Sequence, residues 1–160
     1  MAAMKSTLSD ASRQVAANAL QNTLVDLLGL SLIGKQIHWN VVGTRFRSVH
    51  LQLDELVTEV REAADQVAER AATLGVPPDG CPATIASAIA LPVPQADWVR
   101  DDEAIEIVTE ALHIAATRLR KRIEATENSD PVTQDLLISV TAELEKQHWM
   151  FASGHAAHAQ

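Results

Sequence analysis

Five of the six prolines fall between residues 75 and 100, and this clustering constrains the chain more than any other feature. Proline locks φ and carries no backbone N–H, so a cluster of prolines interrupts any long helix. Only Pro131 lies elsewhere. The chain therefore reads as two proline-poor stretches that can each hold long helices, joined by a segment that cannot. Within that segment only "ATIASAIA" has the makings of a short helix. Aromatic residues make up 3%, Tyr is absent, and Ala and Leu abound. Strands favour aromatic and β-branched side chains, so this composition points to helices.

Before the break, apolar residues recur with helical spacing from Asp10 to Asn40, at Val15, Leu20, Leu24, Leu27, Leu28 and Ile37. Gly43 marks the stop, and Thr44 is the expected cap of a second helix running to Leu74. That helix repeats Phe46, Leu53, Val60, Val67 and Leu74 every seventh residue, with Val49, Leu56 and Ala63 beside them. It is a rod of about 45 Å at 1.5 Å per residue. After the break, a third helix is expected over Asp101–Thr126, burying Ile105, Val108, Leu112, Ala115, Leu119 and Ile123. Asp130-Pro131 pairs a cap with proline at the first helical position, opening a fourth helix through about His155. Four helices with a long crossover between the second and third describe an all-α, ferritin-like four-helix bundle better than an up-down one. The 160 residues make one domain, 1–160, with about 1–9 and 156–160 expected as flexible tails.

The formal net charge is −8, which repels nucleic acid unless a basic arm overrides it. Cys81 is the only cysteine, so no internal disulfide forms, and a lone thiol suits a reducing compartment. "MAAMKSTLSD" has no apolar core of a secretory leader, and no run of 18 apolar residues exists. A cytoplasmic protein without a membrane span is expected.

The second helix carries a polar constellation. With His50 at zero on a helical wheel, Asp54 falls at about 40°, Asp65 at about 60° and Glu69 at about 100°. The stripe of Phe46, Leu53, Val60 and Val67 is centred near about 290°, so the four polar groups share a face turned from the core. Leu51, Val57, Ala64, Ala68 and Ala72 share or border that face, and a helix with two part-apolar faces usually has two partners. Asp54 and Asp65 are about 16 Å apart along the axis, whereas metal–ligand bonds are about 2 Å. One chain cannot close a single centre with all four groups. A second copy packed antiparallel across a two-fold near Glu59 would set each His/Asp pair opposite an Asp/Glu pair, giving two equivalent sites per dimer. His38, at the end of the first helix, joins the scheme. Mixed imidazole and carboxylate ligands suit Fe(II), Mn(II) or Zn(II) over Ca or Mg.

Spacing alone leaves plainer readings open. His38 can be a hydrogen-bonded core histidine, His50 and Asp54 an ordinary i,i+4 pair, and Asp65 and Glu69 surface carboxylates paired with Arg61 or Arg70.

The string "KQIHWNVVGTRFRSVHLQLDEL…ADQVAERAATLG" resembles the signature of the Dps family, the mini-ferritins of starved bacterial cells. The elements are His-Trp-Asn, a Gly-x-x-Phe turn, His-x-x-x-Asp and Asp-x-x-Ala-Glu-Arg, all at the family's spacing. "LEKQHWM" resembles the family's last helix, and the similarity spans roughly Leu20 to Met150. The resemblance implies a hollow homododecamer with ferroxidase sites at two-fold interfaces. Such shells oxidise Fe(II), preferably with hydrogen peroxide and otherwise with dioxygen, and store the ferric mineral inside. By this resemblance His38, His50 and Asp54 come from one subunit, and Asp65 and Glu69 from its mate. Trp39 would sit near the metals as a radical interceptor, or simply as a packing aromatic. Acidic residues near the start of the last helix line pores that admit ions at the family's three-fold axes. Asp130 and Asp135 stand there, where a cap and a solvated first turn are the plainer reading.

Two Glu-x-x-His motifs, Glu110/His113 and Glu145/His148, resemble a piece of the di-iron site inside larger ferritins. Glu110 points away from the core, however, and an interior centre is not expected. The cluster Arg118, Arg120, Lys121 and Arg122 reads as a solvated C-terminal turn. The chain departs from the best-known family members in lacking Lys-rich arms. Residues 1–14 hold only Lys5 and Arg13, and "ASGHAAHAQ" has neither Lys nor Arg. DNA binding is therefore expected to be weak at neutral pH, with His155 and His158 adding charge only in acid. The rival to an iron-storing ferroxidase is a nucleoid-compacting structural protein whose metal site is incidental.

Overall fold

A computed structural model describes residues 6–156. Its order is α1 (Asp10–Asn40), β1 (Val41–Val42), α2 (Phe46–Thr73), α3 (Pro82–Ala88), β2 (Val99–Arg100), α4 (Asp101–Thr126) and α5 (Pro131–Ala156). The four long helices and the short α3 in the crossover match the reading of the sequence. Most of the expected tails, His158 and the side chain of His155 lie outside the described residues.

α1 starts where Ser9 accepts a hydrogen bond from the Ser12 N–H, satisfying one of the helix's free donors. Leu20, Leu24, Leu27 and Ile37 of α1 are buried against Leu53, Leu56, Val60 and Val67 of α2, with Leu112, Leu119, Leu137 and Phe151 completing the core. The seven-residue stripe of α2 holds from Leu53 onward. Phe46 departs from it, being 45% exposed, and its ring lies 5.0 Å from that of His50.

The start of α2 also differs from expectation. Thr44 does not cap it; Arg45 holds the cap position without a side-chain cap. The carboxylate of Asp101, from the first turn of α4, instead accepts from the Arg45 N–H at 2.7 Å and pairs with its guanidinium at 3.3 Å. Those hydrogen bonds, the backbone one first, outweigh burial and hold the Asp101 carboxyl below the usual carboxylate range. Gly43 (φ 134°) lies against this carboxylate, where a Cβ would collide with it. Next to it, β1 and β2 pair in parallel, Val41 with Val99 and Val42 with Arg100, tying the end of α1 to the start of α4. At its other end α2 closes with Gly75 at φ 75°. The Val76 N–H reaches the Ala71 carbonyl and the Gly75 N–H that of Ala72, the bond pair of a Schellman cap.

The basic cluster of α4 divides: Arg120 and Lys121 are exposed as expected, but Arg118 and Arg122 are not simply solvated. Arg118 and Arg122, four apart and so on one face, both pair with Asp26 of α1, at 2.8 and 2.7 Å. Asp26 is 3% exposed, so two cations compensate one buried carboxylate. Arg118 also donates to the Ala90 carbonyl, which pins the crossover.

Candidate metal centre

The break between α1 and α2 folds their ends together and brings His38 and His50 face to face. Their rings stack with centroids 3.6 Å apart and 21° between planes. Each Nδ1 lies 2.9 Å from the other residue's backbone carbonyl oxygen. A carbonyl only accepts, so each Nδ1 carries the proton and each Nε2 keeps its lone pair free for a metal. His38 is buried and His50 half-buried, which limits rotation of both rings.

Asp54, one turn after His50, completes the group. Its Oδ1 is 3.4 Å from His38 Nδ1, and one ligand atom from each of the three residues lies within 4.8 Å of the others. Lys35, three residues before His38, donates to the same Asp54 oxygen. That hydrogen bond, followed by the nearby imidazoles, holds the Asp54 carboxyl below its ordinary value against the opposing effect of desolvation. The Lys35 ammonium thus stands where a cation at Asp54 would stand. Sequence reasoning missed it, although the "KQIH" spacing places Lys35 and His38 on one face of α1.

Asp65 and Glu69 follow on the same unbroken helix, both exposed and outside the His38–His50–Asp54 group. Arg70, a candidate partner for them, turns instead to Asp130, just before α5, at 2.6 Å and to Thr133 of α5. Among the described residues neither Asp65 nor Glu69 makes a hydrogen bond or ion pair. One chain therefore carries a group of three residues that could hold a metal ion and, on α2 beyond it, two uncommitted carboxylates. Asp65 lines a shallow pocket with Arg61, Leu24 and Pro78. Trp39 is 65% exposed and edges a groove of about 720 Å³ that also takes in Lys35, Leu32, Ile85 and Val93.

The remaining candidates separate. Asp130 is buried; desolvation raises its carboxyl, but hydrogen bonds from Thr133 and Arg70 win and bring it below the usual range. Asp135 is exposed. Glu110 and His113 are also exposed, and Glu145 pairs with Arg120 at the surface at 2.6 Å. Neither Glu-x-x-His motif contributes to a metal-holding group of three among the described residues.

The sequence and fold have known counterparts. The Ferritin-like domain family matches residues 17–155. A protein of Mycolicibacterium smegmatis named DNA protection during starvation protein is 41% identical over 157 residues, covering 92% of this chain and 80% of the relative. Among solved structures, Dps from Microbacterium arborescens in its high iron form superposes with a TM-score of 0.90 at 28% identity, covering 95% of this chain and 99% of that one. The tetragonal form of Mycobacterium smegmatis Dps gives 0.89 at 35% identity, covering 96% and 93%.

Proposed function

Since the chain belongs to the Dps family of ferritin-like proteins, we propose that it is an iron-storing and iron-detoxifying ferroxidase whose centres lie between two copies of the chain. The observation that carries this reading is the group of His38, His50 and Asp54, set apart from the uncommitted carboxylates of Asp65 and Glu69. The rigid helix separates Asp54 from Asp65 by about 16 Å, so a two-fold mate supplies the missing half. A homododecamer built from such dimers, hollow and filled with ferric mineral, is the assembly proposed. The groove beside Trp39, lined by apolar side chains, suits the dimer contact.

Fe(II) is the substrate. Two imidazole nitrogens and three carboxylates make a mixed N/O donor set suited to Fe(II). Each added carboxylate favours the higher charge of Fe(III), so the donor set promotes oxidation. Two Fe(II) ions each give one electron to hydrogen peroxide, whose O–O bond breaks. With water the products are two ferric oxide-hydroxide units and four protons, which balances atoms and charge. Peroxide is the proposed oxidant, with dioxygen the alternative. Removing Fe(II) and peroxide together protects the cell from oxidative damage. Asp135, exposed at the start of α5, is the better placed of the two acidic residues to guide Fe(II) inward, and Asp130 to hold the helix end. Trp39, at the mouth of the groove, is placed to intercept radicals. We place the protein in the cytoplasm; no described helix is long and apolar enough to cross a membrane.

The test uses complementation. Asp65→Ala with Glu69→Ala abolishes rapid oxidation but leaves the chain folded, because both side chains lie outside the core. A His38→Ala, His50→Ala variant is likewise inactive. Co-assembled shells, verified by mass spectrometry, regain about a quarter of native activity, since about half of random dimers are mixed and each rebuilds one of two sites. Verified mixed shells without recovery would refute the shared centre.

A further inference from the structure

We propose that His113 of α4 and His148 of α5 form a two-imidazole clamp for a divalent cation of the Cu(II), Ni(II) or Zn(II) type. It lies on the second helix pair, separate from the half-site on α1 and α2. The ring centroids are 5.8 Å apart, with 42° between planes. Two imidazoles bound to one ion at about 2.0–2.1 Å have ring centres about 4.5 Å apart at a right angle and about 6.4 Å apart when opposed. The observed spacing falls inside that range, at an opening of about 130° by the same geometry.

Both imidazoles are uncommitted. His113 is exposed and His148 half-buried, and among the described residues neither makes a hydrogen bond or an ion pair. A core or capping histidine normally has its ring nitrogens engaged. The spacing is also held from outside the pair. The Arg120–Glu145 bridge crosses between the same two helices close by, with Nε 2.6 Å from the carboxylate oxygen. The bridge is exposed, so it adds a modest restraint between the two helices there. Water fills the remaining positions, and Glu110, one turn before His113 on an exposed face, is free to swing toward them.

The donor chemistry selects the ion. Imidazole suits Cu(II), Ni(II) and Zn(II), and affinity at a given nitrogen site runs Fe(II) < Ni(II) < Cu(II) > Zn(II). The clamp therefore discriminates against Fe(II), which favours the carboxylate-rich centre. Because the imidazoles bind in their neutral form, occupancy falls as pH falls.

Copper titration of the full chain, followed by electron paramagnetic resonance, provides the test. The expected result is a Cu(II) signal with nitrogen hyperfine structure from two imidazoles. It persists in the His38→Ala, His50→Ala variant, which lacks the imidazoles of the α1–α2 group, and disappears when His113→Ala or, separately, His148→Ala is added to that variant. Iron oxidation by His113→Ala stays at the native rate. Loss of the signal on only one of these additions, or on neither, overturns the clamp. A second measurement needs no substitution: Cu(II) protects both His113 and His148 from carbethoxylation, mapped by mass spectrometry on the native protein. Protection of neither or of only one also overturns it.

Discussion

Lys35 bears most directly on the candidate metal centre. Its ammonium bonds Asp54 in the position a cation would take, so metal must displace it. Lys35→Met removes that competitor and strengthens binding of a redox-inert probe such as Co(II) on the order of tenfold. Calorimetric titration of both proteins at one ionic strength checks this; unchanged affinity would show that Lys35 leaves the site without cost. Asp101 acts at the same scale on stability. Asp101→Asn breaks a buried pair with Arg45 and weakens the acceptor for its backbone N–H, costing about 3–5 kcal/mol in urea unfolding. The pH dependence has a defined sign. The folded-state value lies below the ordinary 3.8, so the contribution is full above that value and disappears as pH falls through the folded one. Acid unfolding of the native protein should therefore begin below about pH 4, and the Asn variant should lack that component.

At the scale of elements, α1 and α4 are held by more than apolar packing. Asp26 takes both Arg118 and Arg122 inside the bundle, and Arg118 extends the contact to the crossover. Asp26→Ala leaves two arginines facing an apolar interface without their counter-charge. The expected loss is about 3–5 kcal/mol, with faster proteolysis between residues 89 and 98 as the crossover loosens. Limited proteolysis with mass mapping reads the second effect directly. A variant that lost stability with the crossover still protected would assign the network to helix packing alone.

For the whole molecule, the proposed shared centre predicts that assembly is a condition of activity. Native mass spectrometry should give a particle of twelve 17.3 kDa chains, and dilution that dissociates dimers should abolish oxidation in step with assembly. The electrostatics of the assembly bear on the rival reading. A net charge of −8 per chain opposes binding to a polyanion, so no salt-sensitive shift of duplex DNA is expected at pH 7.5 in a gel assay. Tight binding that weakens as salt rises would favour the nucleoid-compacting role that the relatives' name suggests.

The helices were legible because their causes are local or periodic. Proline clustering predicted the crossover, a seven-residue apolar repeat predicted α2, and Asp130-Pro131 predicted the start of α5. The meeting of His38, His50 and Asp54 was also legible, from their motif spacing and the family resemblance, and the rise of a helix already set Asp65 and Glu69 apart from them. What the sequence could not show depends on groups distant along the chain. Asp101 lies 56 residues from Arg45, yet replaces the Thr44 cap. Asp26 lies 92 residues from Arg118, and its buried carboxylate draws Arg118 and Arg122 out of an apparently solvated cluster. Lys35 reaches Asp54 only because α1 and α2 fold back on each other. Periodicity records which face of a helix is apolar, but it carries no information about which charge on another helix comes to rest against it. Only the packed arrangement decides that, because a buried charge is tolerated where a partner happens to be within hydrogen-bond reach.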